Sequence, residues 1–246
     1  MEKASLVTGA AGGLGRAIAQ QLIKQGHRVI GADISESGLT EFAKSLGDAA
    51  SSFRAHTVDL TKVGAVDALF AKIESEFRGV DALVNNAGTC FMSDFPEIPA
   101  EELDQQMAIN FSAAFHCCQR AVPLMLPRSG VKKIVNISSN GAYNFDVFDP
   151  PHYRSSKAAL DTLTKDLARR YARDRISVNS IAPAMTETPL FNVVDEETLQ
   201  AAIAAMPHGA PMQPEQVAAW VGFLVSPAGD VASGNVIILN QGRDVR

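Results

Sequence analysis

Short apolar runs alternate along the chain with longer segments in which apolar residues recur every three or four positions. The first run, residues 4–8, ends at a cluster of glycines, after which Leu14, Ile18 and Leu22 recur at helical spacing. The same alternation predicts strands near residues 4–8, 28–32, 53–58, 80–84, 131–137, 176–181 and 235–239. It predicts helices near residues 14–25, 39–46, 63–77, 100–126, 153–172 and 214–225.

Seven strands that alternate with helices are typical of an α/β fold with a doubly wound parallel sheet and helices on both faces. The strands lack a clean apolar–polar alternation, as expected where both faces of a sheet are buried. No linker-like composition divides residues 1–246, so we predict a single domain. Residues 185–213 have no clear place in this sheet, and segments of that length often form lids over a binding site.

Composition narrows the class of protein further. The 246 residues are 46% apolar and 20% charged, which is typical of a globular chain and not of a disordered one. The net charge of −5, without an uninterrupted basic cluster, argues against binding to nucleic acid or to an anionic membrane. No apolar run approaches the ~18–20 residues that span a bilayer, and no signal peptide precedes the first strand.

The cysteines indicate a reducing compartment. There are three of them, an odd number, without the Cys-x-x-Cys spacing of many metal sites. His116, Cys117 and Cys118 are consecutive within a helical pattern, where neighbouring side chains point in different directions. We therefore expect buried helix positions there, no metal site, and a cytoplasmic location.

A glycine-rich segment, Thr8–Gly15, lies between the first strand and the first helix. Glycines in that position allow a tight turn and the close approach of a pyrophosphate, whose charge is stabilised by the helix N-terminus. The second strand ends at Asp33, whose carboxylate can accept hydrogen bonds from ribose hydroxyls and would repel a 2′-phosphate. This favours NAD over NADP. Arg16, on the helix, either contacts a phosphate or faces solvent.

Polar residues also follow the third and fourth strands. Asp59-Leu60 comes after one, and Asn85-Asn86-Ala87-Gly88 after the other. Each of these segments is compatible with an ordinary turn. Because the carboxyl ends of parallel strands meet at one edge of the sheet, together they predict a cofactor cleft there.

The sequence resembles the short-chain dehydrogenase/reductase family over almost its whole length. The resemblance rests on the Thr-Gly-x-x-x-Gly-x-Gly turn at residues 8–15, on Asn-Asn-Ala-Gly at 85–88, and on Tyr153-x-x-x-Lys157, whose spacing of four stacks both side chains on one helix face. It implies a Rossmann-type oxidoreductase that transfers hydride between a secondary alcohol or ketone and a nicotinamide cofactor. It also implies a homo-oligomer, commonly a tetramer, for which helices 100–126 and 153–172 are the expected interface.

The resemblance assigns four catalytic residues. Ser139, or alternatively its neighbour Ser138, orients the reacting oxygen, and Tyr153 transfers the proton. Lys157 binds the ribose and lowers the tyrosine pKa from its usual value near 10, and Asn110 holds a relay water. The expected cofactor-binding residues are Gly9, Gly13, Leu14, Gly15, Asp33, Ile34, Asp59, Leu60, Asn86, Ala87, Gly88, Tyr153, Lys157, Pro183, Met185, Thr186 and Thr188.

Two segments depart from the family pattern. Ala184 replaces a usual glycine beside the expected nicotinamide site, so the backbone there must adopt a conformation that alanine tolerates. Near the C-terminus, Asn240-Gln241-Gly242-Arg243 replaces a common Asp-Gly-Gly.

Apolar side chains concentrate in the segments expected around the reacting oxygen. They include Phe91, Phe145, Phe148 and Phe191, and no lysine or arginine accompanies them in these segments. This favours a hydrophobic substrate (aromatic, alicyclic or steroid-like). The alternatives are an NADP-dependent ketoreductase or a sugar or polyol dehydrogenase of the same family. A nucleotide-sensing regulator would not need the tyrosine and lysine.

Overall fold

The computed structural model describes residues 3–145 and 149–244. It contains one sheet of seven parallel strands, which confirms the predicted fold class. The strands are β1 (Lys3–Thr8), β2 (His27–Asp33), β3 (Phe53–Thr57), β4 (Ala82–Asn85), β5 (Lys132–Ile137), β6 (Ile176–Pro183) and β7 (Val236–Leu239). The helices are α1 (Gly13–Lys24), α2 (Glu36–Ser45), α3 (Val63–Phe77), α4 (Ala100–Met107), α5 (Ala113–Met125), α6 (Pro151–Arg170), α7 (Glu196–Ala204) and α8 (Pro214–Val225).

The single helix predicted over residues 100–126 is interrupted in the structure. A π-helical turn, Ala108–Ser112, joins α4 to α5 and carries Asn110. Such turns replace the i→i−4 bonding pattern locally and are frequent at functional sites. The periodicity alone does not reveal the turn, because its apolar spacing continues through it.

Residues 185–213 contain more regular structure than the sequence predicts. A 3₁₀ turn, Pro189–Val193, leads into α7, whose N-terminus is capped by the Asp195 carboxylate accepting from the Thr198 N–H at 2.9 Å. An isolated parallel bridge pairs Thr186 with Met212 and closes the base of the segment. The amphipathic pattern of α7 is short and lies among loop-forming residues, so the apolar periodicity of the sequence does not predict this helix.

The order of the strands places the loops. It runs β3-β2-β1-β4-β5-β6-β7, so the chain builds outward from β1 in one direction and then returns to build in the other. The reversal falls between β1 and β4, which pair in register from Ser5 opposite Ala82. In open α/β sheets the crevice at the carboxyl ends of the strands at such a reversal is where ligands bind.

Two apolar layers cover the sheet, one on each face. Helix α3, helix α5 and part of α6 pack on one face, with Ile73, Cys117 and Met125 fully buried. Helices α1, α2 and α8 pack on the other, with Leu22 and Phe42 fully buried. Cys117 and Cys118 thus occupy the buried helix positions that the sequence predicts.

Candidate active site

A cavity of about 410 Å³ opens at the carboxyl edge of the sheet, over the reversal between β1 and β4. Its size lies within the range of small-molecule sites. Its walls come from the glycine loop after β1, the loop after β4, the end of β5, the start of α6 and the segment after β6. These elements lie far apart in the chain and meet only because the parallel strands end at one edge.

The glycine loop forms the floor of one end of the cavity. Gly9 has φ of +67°, and a Cβ on Gly15 would lie 1.9 Å from the Gly9 carbonyl oxygen, so α1 packs directly on the loop. No side chain caps α1, and its first residues, Gly13 and Leu14, line the cavity. Unpaired N–H groups at a helix N-terminus bind phosphate readily. These residues fit the pyrophosphate of a dinucleotide.

Asp33 lies at the same end, at the tip of β2. Its Oδ2 accepts from the Ala11 N–H and its Oδ1 from the Ser35 N–H, both at 2.9 Å, and the carboxylate faces the cavity. Arg16 does not line the cavity, and its side chain is 29% exposed at the surface. Its guanidinium donates to the carbonyls of Ala11 (2.6 Å) and Gly38 (3.2 Å) and pairs with Glu41 (3.1 Å), which ties α1 to α2.

The loop after β4 is fastened to the glycine loop. Asn86 donates through Nδ2 to the carbonyls of Thr8 (2.9 Å) and Gly9 (3.2 Å). In return, the Thr8 hydroxyl oxygen accepts from the N–H groups of Asn86 and Ala87. A Cβ on Gly88 would lie 3.3 Å from Lys157 Nζ, so this glycine lets the loop approach the lysine closely.

Ser139, Tyr153 and Lys157 converge on the cavity. The Ser139 hydroxyl is a hydrogen-bond partner of Tyr153 and also accepts from the Gly141 N–H at 3.0 Å. The Ser138 hydroxyl instead donates to the Asp161 carboxylate at 2.8 Å. Lys157 Nζ donates to the Ile137 carbonyl at 2.9 Å and lies 5.8 Å from the centre of the Tyr153 ring.

The electrostatics of this group differ from the expectation for Tyr153. Burial raises the pKa of its hydroxyl, and the Asp149 carboxylate raises it further, while the bond with Ser139 opposes the rise. Lys157 is not among the groups that act on this pKa, and its ammonium donates to the Ile137 carbonyl. Burial lowers the pKa of Lys157 itself to about 8, although the Asp161 carboxylate one turn along α6 acts in the opposite direction.

Asn110 lies behind the cavity and does not line it. Its Nδ2 donates to the Thr89 carbonyl (2.9 Å) and to the Ser156 hydroxyl (3.0 Å), and its Oδ1 accepts from the Thr89 N–H (2.9 Å). Both amide hydrogens are thus committed to protein atoms. The side chain braces the loop after β4 against α6, between Tyr153 and Lys157.

The segment after β6 tolerates the departure from the family pattern. The Ala184 N–H donates to the Leu239 carbonyl at 2.8 Å, and its φ is not positive, so no glycine is required there. Thr188 packs against the glycine loop, where a Cβ on Gly13 would lie 3.3 Å from the Thr188 Cβ. Pro183, Met185 and Thr186 also line the cavity, as expected.

Several expected site residues lie outside the cavity. Among the expected cofactor contacts they are Gly15, Ile34, Asp59 and Leu60. Gly15 serves helix packing, Leu60 belongs to the core, Ile34 is exposed, and Asp59 binds Thr61.

The phenylalanines that the sequence predicts around the substrate do not all line the cavity. Phe191 lines it. Phe145 is 71% exposed, with the Arg154 guanidinium 5.2 Å over its ring, so it faces solvent. Phe91 does not line it, whereas its neighbours Cys90 and Met92 do. Phe148 lies outside the described residues.

Two charged residues of the cavity were not expected from the sequence. Asp149, in the loop before α6, and Arg243, near the C-terminus, both line it. From the sequence, Asp149-Pro150-Pro151 predicts only a stiff segment before the helix. No motif spacing indicates a role for Arg243 at the site. The C-terminal segment reaches the site because Asn140, beside Ser139, donates to the Asp244 carboxylate at 2.9 Å.

Within residues 3–145 and 149–244 there is no cluster of three or more His, Cys, Asp or Glu side chains that could hold a metal ion. No helix in these ranges has the length and apolar character needed to cross a bilayer.

Comparison with protein families and curated proteins gives consistent matches. A family model described as short chain dehydrogenase matches residues 3–199. The 3-oxoacyl-[acyl-carrier-protein] reductase FabG of Vibrio cholerae is 32% identical over 241 residues, covering 98% of this chain and 96% of that protein. The 3beta-hydroxysteroid dehydrogenase 1 of Eggerthella lenta is 33% identical over 246 residues, with coverage of 98% and 93%.

Solved structures match over the same extent. The Pseudomonas aeruginosa RhlG/NADP active-site complex has a TM-score of 0.92 at 29% identity, covering 98% of this chain and 96% of that one. A 3-ketoacyl-(acyl-carrier-protein) reductase from Brucella melitensis complexed with NADH has a TM-score of 0.90 at 28% identity, with coverage of 99% and 98%.

Proposed function

The chain belongs to the short-chain dehydrogenase/reductase family of oxidoreductases, and on that premise we propose that it interconverts a secondary alcohol and a ketone with NAD as the cofactor. The observation that carries the proposal is the convergence of Ser139, Tyr153 and Lys157 in one cavity with the glycine loop. The catalytic and cofactor-binding roles of the residues below are part of this proposal.

The proton step belongs to Tyr153. As a phenolate it takes the hydroxyl proton of the alcohol during oxidation and becomes the phenol, and as the phenol it gives that proton to the carbonyl oxygen during reduction. Ser139 donates a hydrogen bond to the same substrate oxygen and orients it. A nicotinamide cofactor held by the glycine loop and Lys157 would accept hydride in its oxidised form and donate it in its reduced form.

Lys157 and Asn110 support this step. Buried beside Gly88, the lysine is placed to bond the ribose of the cofactor, and its charge is largely retained at neutral pH, since its pKa is about 8. Asn110 holds α6 and the loop after β4 together through Ser156 and Thr89. We propose it as a positioning residue, since its side chain touches none of the reacting atoms.

Asp33 supports NAD over NADP. Its carboxylate faces the cavity at the adenosine end and is held in place by two backbone N–H groups. A 2′-phosphate placed beside it would meet a negative charge. The Arg16 guanidinium is directed at Glu41 and at the carbonyls of Ala11 and Gly38.

The lining supports a mainly hydrophobic substrate. Beyond the reacting group the cavity is walled by Cys90, Met92, Leu190, Phe191 and Val194. An aromatic, alicyclic or steroid-like alcohol would bury apolar surface there. An NADP-dependent ketoreductase and a sugar or polyol dehydrogenase remain the alternative functions within the family.

A substrate panel tests the proposal. Aromatic, alicyclic and steroid secondary alcohols, polyols and sugars are assayed with NAD and with NADP by the absorbance of the reduced cofactor. Turnover of the hydrophobic alcohols with NAD, lost by at least about a thousandfold in Tyr153→Phe, is expected. Turnover of sugars alone, or a preference for NADP, overturns the substrate or the cofactor assignment. Unchanged turnover in Tyr153→Phe overturns the mechanism.

The proposal includes a cytoplasmic homotetramer. Three cysteines, Cys90, Cys117 and Cys118, are unpaired thiols and buried, which suits a reducing compartment. Exposed apolar side chains on α4 and α5, such as Leu103 (43% exposed) and Phe115 (39% exposed), support a subunit interface along these two helices, within residues 100–126. Light scattering coupled to size exclusion distinguishes the tetramer from a dimer or a monomer.

A further inference from the structure

Asp149 brings a negative charge to the reacting end of an otherwise largely apolar cavity. A Cβ built on Gly141 would lie 2.0 Å from Asp149 Oδ2 and 3.2 Å from Ser139 Oγ. The carboxylate and the serine hydroxyl therefore flank the same face of Gly141. Asp149 also lies close enough to act on the charge of Tyr153 and of Cys90.

Burial raises the pKa of this carboxyl group, and the charge of the Arg154 guanidinium acts to lower it. Within the described ranges the carboxylate oxygens accept no hydrogen bond. Arg154 Nε donates to the Asp149 backbone carbonyl at 2.7 Å and not to the carboxylate. A half-buried carboxylate without a hydrogen-bond donor carries a desolvation cost, which a donor on a bound molecule would offset.

Helix capping does not account for its position. Asp149 precedes the N-cap residue Pro150, and no side chain caps α6. The first helical residue, Pro151, has no N–H to offer. The residues of the chain therefore give the carboxylate no structural task at this helix end, and its exposed side is the cavity.

We propose that Asp149 accepts a hydrogen bond from a donor group, a hydroxyl or an ammonium, on the carbon next to the one that is oxidised. The reacting oxygen is held between Ser139 and Tyr153, and Asp149 flanks that pair, so the group that reaches it is a near neighbour of the reacting carbon. The substrate class is then a hydrophobic vicinal diol or amino alcohol, not a simple secondary alcohol. This inference rests on the proposed function.

The size of the expected preference for a donor-bearing substrate follows from the kind of hydrogen bond that Asp149 would accept. A hydrogen bond to a charged acceptor, together with the cost of leaving that acceptor unpaired, corresponds to about 10- to 100-fold in binding or kcat/KM. An analogue without the donor loses this factor, because it buries the carboxylate without a partner.

Matched compounds test the proposal: 1-indanol, indane-1,2-diol and 2-amino-1-indanol. They share the ring system and differ only in the neighbouring donor. We measure kcat/KM with NAD and, by calorimetry, the affinity of each compound for the complex with NADH. The wild type is expected to prefer at least one donor-bearing compound over 1-indanol by about 10-fold or more. Asp149→Ala is expected to abolish that preference, so that the ratio of kcat/KM for each donor-bearing compound to that for 1-indanol falls to about one.

The variants separate the two donors and exclude a structural effect. Asp149→Asn keeps an acceptor oxygen and loses the charge, so it retains part of a preference for the diol but none for the ammonium. Asp94→Asn removes an exposed carboxylate outside the cavity and is the matched control, expected to behave as wild type. The melting temperature and NADH affinity of Asp149→Ala should match those of the wild type.

The outcomes are distinct. If 1-indanol is turned over and bound as well as both donor-bearing compounds, the assignment of Asp149 is wrong and the proposed function stands. If no alcohol is turned over but the affinity preference is present and is lost in Asp149→Ala, the proposed function is wrong and the contact stands. A preference that survives in Asp149→Ala also overturns the assignment.

Discussion

Asn110 Nδ2 donates a hydrogen bond to Ser156 Oγ at 3.0 Å, across 46 residues of sequence. Ser156 in turn donates to the Tyr153 carbonyl at 2.6 Å. Through this pair the π-helical turn between α4 and α5 is joined to the first turns of α6, which carry Tyr153 and Lys157. The orientation of the proposed catalytic helix face therefore depends on a buried amide from a different part of the chain.

Replacing Asn110 with alanine should weaken both the fold and the proposed reaction. The change removes the Asn110 partner of the Thr89 N–H and of the buried Ser156 hydroxyl, while the Thr89 carbonyl still accepts from Gln106 Nε2 at 2.7 Å. The loss costs about 1–3 kcal/mol of the free energy of unfolding. We expect kcat to fall by about tenfold or more, with a smaller change in the cofactor dissociation constant. Urea denaturation and steady-state kinetics measure the two effects. Ser112→Ala, in the same turn, is the control, and equal behaviour of the two variants would contradict the bracing role.

Replacing either of two glycines of the nucleotide loop with alanine should affect protein stability to very different extents. A Cβ on Gly15 would lie 1.9 Å from a backbone oxygen, whereas a Cβ on Gly12 meets nothing within 4 Å. Gly15→Ala should therefore destabilise the protein by about 3 kcal/mol or more, because backbone cannot move aside cheaply. Gly12→Ala should keep the wild-type melting temperature. Thermal denaturation of the pair decides this, and a stable Gly15→Ala variant would show that α1 does not pack on the loop as described.

Changing Asp33 to asparagine should narrow the proposed preference for NAD. The amide loses the negative charge that would repel a 2′-phosphate and has one oxygen in place of two acceptors for Ala11 and Ser35. We expect the ratio of NADPH to NADH dissociation constants to fall by about tenfold. Fluorescence titration of the reduced cofactors measures both constants. Asp48→Asn, at an exposed position in the 3₁₀ turn after α2 and outside the cavity, is the control. A wild type that binds NADPH more tightly than NADH would contradict the carboxylate argument.

Lys157→Met should be more stable than the wild type at neutral pH although it is catalytically impaired. Burial lowers the lysine pKa from 10.5 to about 8, so below pH 8 the folded state holds a charge at a cost of about 3 kcal/mol relative to the unfolded chain. The unfolded chain binds more protons between pH 8 and 10.5, so wild-type stability rises with pH in that window. The free energy of unfolding of Lys157→Met should therefore exceed that of the wild type by the full amount below pH 8, and this difference should shrink above pH 8.

Urea denaturation at pH 7 and at pH 9.5 measures this difference for both proteins. Loss of the bond from Lys157 to the Ile137 carbonyl reduces the gain without changing its dependence on pH. A difference between the two proteins that stays constant across the two pH values would contradict the buried charge.

Local patterns predicted the scaffold well because each depends on residues near in the chain. All seven strands follow from short apolar runs, and the nucleotide loop follows from glycines between a strand and a helix. The common helix face of Tyr153 and Lys157 follows from a spacing of four. The sheet order follows less directly, since it requires the general rule that parallel connections are long and right-handed.

Packing between distant segments decided the rest. The resemblance favours Ser139 and leaves Ser138 as the alternative, and only the structure shows that the Ser138 hydroxyl is bonded to Asp161 on α6 while Ser139 is the partner of Tyr153. Phe145 and Phe191 look alike as apolar candidates, yet one ring faces solvent and the other lines the cavity.

The amino-acid sequence by itself determined the parallel α/β fold, the nucleotide loop and the placement of the tyrosine and lysine on one helix face, because these depend on periodicity and on backbone freedom over a few residues. Only the tertiary structure decided that Asp149 and Arg243 enter the cavity and that burial raises the pKa of Tyr153. Desolvation and charge act through space, and the distances that set them exist only after segments far apart in the chain have packed together.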